Sequence, residues 1–179
     1  MAYIWLISFV ATIPAANYLI QNVGVTCITN GPCLIPVLPG IMAPSGVLMI
    51  GLALVLRDAV HSTLGARWSI AAIFIGAALS AVLAPASLVI ASGVAFLFSE
   101  LADLAVYAPM RKRYPVNAVL ASGLIGAIVD SVLFLAIAFG SLQFLAGQVV
   151  GKVWMSVLAA LILKTAHLVR PQIVIARKI

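Results

Sequence analysis

The chain has 179 residues, of which 65% are hydrophobic and only 8% charged, and its formal net charge is +6. Soluble domains carry roughly 25% charged residues, so a water-soluble fold of this size is excluded and lipid has to be the solvent for its outside. The positive charge collects at the ends of apolar segments, as in Arg111-Lys112-Arg113, which reads as loop anchoring by the positive-inside rule and not as a nucleic-acid surface.

A spanning helix needs ~20 residues. The first apolar run, about 2–21, has no Lys or Arg before it and reads as a retained helix, not a signal peptide. A stretch rich in Gly, Pro, Thr and Asn follows to about residue 44, where Pro32, Pro36, Pro39, Gly31 and Gly40 argue against regular helix and predict a peripheral loop. The second helix is expected over 45–64 and the third over 68–83. The fourth is expected to follow Pro85 over 86–108, ended by Pro109. The fifth is expected over 116–141, and the sixth over 147–169, stopped by Pro171. Six spans take up ~120 residues at that length and leave only short loops, so the fold class is an all-α six-helix membrane bundle with a single domain, 1–179.

Arg67, Arg111, Lys112, Arg113, Arg170, Arg177 and Lys178 fall on one side of such a bundle, and the other three loops hold no Lys or Arg. That asymmetry predicts both termini in the cytoplasm. Cys27 and Cys33 then lie in the first outer loop, either bridged around Gly31-Pro32 or as two free thiols. With no other Cys and both His on the opposite side, no zinc site is expected.

The informative residues are polar ones inside spans: Arg57 and Asp58 in the second helix, Glu100 and Asp103 in the fourth, Asp130 in the fifth and Lys152 in the sixth. Each costs about 2.5–3.5 kcal/mol at a span's centre, so they are expected to face inward. Glu100, Asp103 and Tyr107 share one helix face, as do Phe96 with Glu100, Gln148 with Lys152, Asn17 with Gln21, and Ser122, Gly126, Asp130 with Phe134. Together they predict a polar trail through the membrane. Arg57 and Asp58 read as a pair at its inner rim. Asp130, Asp103, Glu100 and Lys152 read as ligand or proton groups, because three acids against one lysine leave negative charge to be matched by a ligand, a proton or Arg57. Gly147 with Gly151, and Gly76 with Ser80, read as small-residue packing contacts. His61 and His167 read as solvated at inner helix ends. No nucleophile–base pair, phosphate loop or HExxH motif is present.

The stretch Phe96–Tyr107, FLFSELADLAVY, resembles the hallmark of the vitamin uptake transporter family, whose characterised members import queuosine precursors. The resemblance extends to 121–141 and 147–154, to Asn17-Tyr18-Leu19 with Gln21, and to Arg57-Asp58. It departs at Gly123, where relatives carry Asn after the serine. The resemblance implies uptake of a 7-deazaguanine-type base across the cytoplasmic (inner) membrane. A carboxylate can accept from adjacent N–H donors of such a base. Lys152, Gln148 or Asn17 would meet its carbonyl, and Trp154, Phe134 or Phe96 its flat ring. Ser122 and Gln21 complete the candidate residues. No cofactor, metal or nucleic acid is expected. The partners expected are a deazapurine, lipid and a second copy of the chain. The rival readings are a substrate-binding subunit of an energy-coupled vitamin uptake system, an intramembrane enzyme, and a structural membrane protein.

Overall fold

The computed structural model describes residues 2–29, 31–84 and 88–176, with side chains described between 3 and 165. The described residues form six helices, each long and apolar enough to cross a membrane. They are α1 (Ala2–Asn22), α2 (Val47–Leu64), α3 (Ala66–Leu83), α4 (Val89–Met110), α5 (Pro115–Phe139) and α6 (Leu145–Ala176). Between α1 and α2 lie three short strands, β1 (Thr26–Cys27), β2 (Cys33–Leu38) and β3 (Ile41–Pro44). The fold is therefore the expected all-α bundle. Helices suit it because every interior backbone group is paired within its own segment, which a bilayer demands.

Local sequence explains most of the boundaries. Gly65, at φ +90°, turns the chain from α2 into α3 in a single residue, a conformation glycine adopts without steric cost. Pro115 occupies the first turn of α5, where a missing N–H costs nothing. Gly140, in the left-handed region, closes the other end. The fourth helix ends at Met110, one residue past the expected stop at Pro109, whereas the backbone of α6 continues past Pro171 to Ala176. Proline forfeits one backbone hydrogen bond, and a helix can bridge that loss. The expected start of the fourth helix at Pro85 and Ala86, the side chains of His167 and Arg170, and Arg177 and Lys178 lie outside the described residues.

The segment read as a peripheral loop is an antiparallel sheet of order β1-β2-β3. Cys27 and Cys33, register partners on β1 and β2, are joined by a disulfide. The sheet is tied to the bundle: Ser45 Oγ donates to the Leu19 carbonyl at 2.6 Å, and the Trp154 indole N–H donates to the Val37 carbonyl at 3.3 Å. Gly147 leaves room for the Met42 carbonyl, and Gly151 packs on Val47 and Val37. These two glycines of α6 thus receive the hairpin and α2.

In the bundle, α4 packs along α5, α1 along α2, and α6 against both α5 and α2. Gly51 brings α2 close to α6: a Cβ there would lie 2.7 Å from the Lys152 backbone. One apolar core joins Phe9, Ile13, Ala53, Ala72 and Phe96 across four helices, and a second joins Tyr107, Ala118 and Val119. Outward faces carry exposed Ile7, Val82, Ile90 and Ile162, as a lipid-facing surface requires.

Candidate functional site

The sequence contains four acidic residues, and all four are buried inside the bundle: Asp58, Glu100, Asp103 and Asp130. Among the described residues, Arg57 and Lys152 are the cations buried with them. These six groups form two assemblies.

The first surrounds a small, partly open cavity near the hairpin end, about 60 Å³ in volume. Asn17 of α1, Phe96 of α4, Asp130 and Phe134 of α5, and Gln148 and Lys152 of α6 line it, with Ser80 and Ser92 beside them. Counting ~1.5 Å per residue from the helix ends, Asp130 lies roughly 14 Å and Lys152 roughly 10 Å below the hairpin end. The Lys152 ammonium donates to Asp130 Oδ2 at 2.5 Å, to Gln148 Oε1 at 2.5 Å and to Ser131 Oγ at 2.8 Å. An ammonium has three protons, so every donor of Lys152 is committed.

The consequence is a division of labour. Lys152 ties Asp130, Gln148 and Ser131 together, and Lys152, Asp130 and Gln148 line the cavity. Asp130 keeps Oδ1, whose one neighbour is Ser99 Oγ at 3.5 Å; that hydroxyl has a single proton and a better acceptor in the Phe96 carbonyl at 3.0 Å. Gln148 has its oxygen fixed on Lys152, which leaves its NH₂ as a donor. Asn17 donates through Nδ2 to the Ile13 carbonyl at 3.0 Å, which leaves its oxygen as an acceptor. Lys152, expected as a donor to a ligand carbonyl, has its three ammonium protons directed to Asp130, Gln148 and Ser131.

The second assembly lies deeper and is fully enclosed. The Arg57 guanidinium, without solvent exposure, donates through Nε to Glu100 Oε2 at 2.9 Å and through Nη1 to Asp58 Oδ1 at 2.6 Å, and its Nη2 pairs with Asp103 Oδ1. Its plane sits 5.9 Å from the Tyr107 ring centre, and Ser122 Oγ donates to Asp58 Oδ2 at 3.4 Å. Arg57 and Asp58 are paired as expected, but within a larger buried cluster and not as a closed pair at the inner rim. They lie ten and eleven residues along α2, roughly 15 Å from its start, and Arg57 is the hub of three carboxylates from two helices. His61, expected to be solvated, is buried against Tyr107 with ring centres 5.7 Å apart.

Other expected site residues fall outside the cavity. Glu100, Asp103 and Ser122 belong to the Arg57 assembly. Gln21 is exposed and donates back to the Asn17 carbonyl. Trp154 is 47% exposed on the outer face of α6, held by the hairpin. The hairpin, expected to be peripheral, contributes Pro44 to the cavity wall. Sequence reading missed Ser131, the third acceptor of Lys152, and Ser99, which sits between the assemblies. The signal for Ser131 was its place beside Asp130, given that a buried ammonium needs three acceptors.

Six apolar helices around a polar cavity with paired interior charges define a multi-pass membrane protein. The chain belongs to the family described as "Putative vitamin uptake transporter", whose model matches residues 78–169, from the end of α3 through most of α6. It is thus a membrane transporter of the vitamin-uptake type. No curated protein and no solved structure matches the chain.

Proposed function

We propose that this protein imports a queuosine precursor, a 7-deazaguanine-type base, across the cytoplasmic membrane, and that the base binds in the cavity at Asp130. The observation that carries this reading is the pairing of a free carboxylate oxygen on Asp130 with a free amide donor on Gln148, in a cavity walled by Phe96 and Phe134. A guanine-like edge presents N–H donors beside a carbonyl acceptor, the complement of that pair. Its flat ring suits aromatic walls. An anionic substrate suits the cavity poorly, because the one cation there is already neutralised. Both termini lie in the cytoplasm on this reading. The support is charge: Arg67, Arg111, Lys112 and Arg113 stand at the end of the bundle opposite the hairpin. The hairpin end then faces the oxidising side, where a Cys27–Cys33 disulfide persists.

The test is uptake of labelled 7-cyano-7-deazaguanine and its aminomethyl relative into cells lacking their own importer. Expression of this chain should restore saturable uptake that unlabelled guanine-like bases inhibit. Uptake indistinguishable from empty cells, with the protein in the membrane, rejects the substrate.

A further inference from the structure

The Lys152 pair accounts for its own charge: one ammonium, one carboxylate. The Arg57 assembly does not. One guanidinium meets three carboxylates, Asp58, Glu100 and Asp103, each with at most 3% of its surface exposed. Fully ionised, that assembly carries two uncompensated negative charges in a region that lipid and apolar helices insulate. Isolated charges in such surroundings neutralise instead of persisting.

The carboxylate least able to stay ionised can be identified from its contacts. Asp58 is held by Arg57 through one oxygen and by Ser122 through the other. Glu100 takes the Nε hydrogen of Arg57. Asp103 has no solvent exposure. It pairs with Arg57 Nη2 through Oδ1, competes with Asp58 for the single proton of Ser122, and its Oδ2 is buried without a hydrogen-bond partner among the described residues. Gly126 of α5 leaves Oδ2 room, since a Cβ there would come within 3.1 Å of it.

We propose that the Arg57 assembly is a proton-binding site distinct from the substrate cavity, with Asp103 the carboxyl that gains and loses the proton, and that this proton drives import. The coupling half rests on the function proposed above; the proton site does not. The charged and titratable groups around Asp103 are Arg57, Asp58 and His61 on α2, and Glu100 and Tyr107 on its own helix. Asp130 on α5, with Lys152 of α6 paired to it, stands beyond Glu100. Arg57 cannot lose its proton in any accessible range, and Lys152 is matched by Asp130, so a change in proton occupancy falls on the carboxylates. Ser99 lies next to Glu100 in sequence and 3.5 Å from Asp130 Oδ1, so the two assemblies are one residue apart along α4. A proton arriving at Asp103 changes which carboxylates compete for Arg57, and one of those, Glu100, adjoins Ser99, the neighbour of Asp130.

The test is infrared difference spectroscopy of the purified full chain in lipid nanodiscs during pH steps. A protonated-carboxyl carbonyl band should appear and vanish reversibly with pH. Labelling the wild type with carboxyl-¹³C aspartate should shift it; this step needs no substitution. Asp103→Asn should abolish the band, and Asp130→Asn should keep it. Absence of any such band, a band that ignores aspartate labelling, or one that survives in Asp103→Asn overturns the proton site. In sealed vesicles, a gradient of one pH unit, inside alkaline, permits about tenfold accumulation of the labelled deazapurine at one proton per base. Asp103→Asn should still exchange labelled for unlabelled base but lose that accumulation. Wild-type uptake that ignores the gradient overturns the coupling. An aspartate band with no deazapurine uptake at any pH supports the proton site and rejects the substrate alone.

Discussion

The two buried charge assemblies each centre on one cation facing carboxylates and reach opposite electrostatic outcomes. At the cavity, one lysine spends three protons on three acceptors, and the result is neutral and saturated. At the centre, one arginine is shared by three carboxylates and the result is short of positive charge. The difference teaches that stoichiometry, not mere burial, separates a scaffold from a site that exchanges something. A saturated pair presents its leftover acceptor to a ligand, whereas an unbalanced cluster has to borrow a proton.

The largest effect should come from breaking the unbalanced cluster at its hub. Arg57→Ala leaves three carboxylates without their cation. Removing one partner from a buried ion pair costs about 3–5 kcal/mol, and here three partners are stranded. Little folded protein should survive extraction, read as monodisperse recovery and a lowered thermal midpoint. Arg57→Lys should rescue poorly, because an ammonium lacks the planar fork that reaches Asp58, Glu100 and Asp103 together. Wild-type stability of Arg57→Lys would show that charge alone suffices and that the fork geometry is incidental.

The balanced pair should break differently. Asp130→Asn removes the acceptor offered to the base and also strands the Lys152 ammonium. Adding Lys152→Gln should recover stability, since the charge and its partner then go together. Binding should stay weakened, because losing a charge-assisted hydrogen bond costs about 1.5–3 kcal/mol, or roughly tenfold to a hundredfold in affinity. Equilibrium binding of the labelled base to the double variant checks this. Full affinity would make Asp130 a packing residue and move the ligand elsewhere. Gln148→Ala comes next. It deletes the amide donor and one of three Lys152 acceptors, and a neutral hydrogen bond is worth about 0.5–1.5 kcal/mol, up to roughly tenfold. Analogues lacking the carbonyl should bind the variant and the wild type equally; a persisting preference for the carbonyl would separate Gln148 from its recognition.

Much of this was legible before any coordinates, and the reason is lipid. Ionisable residues in apolar spans can only turn inward, so Arg57, Glu100, Asp103, Asp130 and Lys152 identified themselves. Partner choice was only partly legible: Arg57 stood among the possible matches for the excess acids, but which acids it would take did not show. Arg57 sits beside Asp58 in sequence, which suggested a closed pair, and nothing in a linear pattern says that Glu100 and Asp103 lie across from it on α4. The hairpin was hidden for another reason: Pro36 and Gly40 punctuate it, and the β2–β3 pairing slips between Pro36 and Leu38, so the alternation that marks a strand is interrupted. Its role against α6 depends on Gly147 and Gly151, which read as ordinary helix-packing residues until their neighbours are known.

Trp154 should give the smallest effect and the sharpest check on where the site ends. An α-helix advances 100° per residue, so Gln148 and Lys152 share a face of α6 while Trp154, two residues on, points nearly the opposite way. The structure agrees: Lys152 is 1% exposed and Trp154 47% exposed, its indole N–H held by the Val37 carbonyl at 3.3 Å. Trp154→Phe keeps the aromatic body and removes one exposed hydrogen bond to the hairpin. The net loss should be at most about 1 kcal/mol of stability, and transport at limiting base should stay within roughly twofold, because no atom of the cavity changes. The informative contrast is Phe134→Leu, which alters the cavity wall and removes ring contact worth about 0.5–1.5 kcal/mol, several-fold in affinity. Trp154→Phe losing more uptake than Phe134→Leu would reverse that ordering. The ring that meets the substrate would then be on the hairpin side of α6, and the bound state would require α6 to rotate or the hairpin to lift.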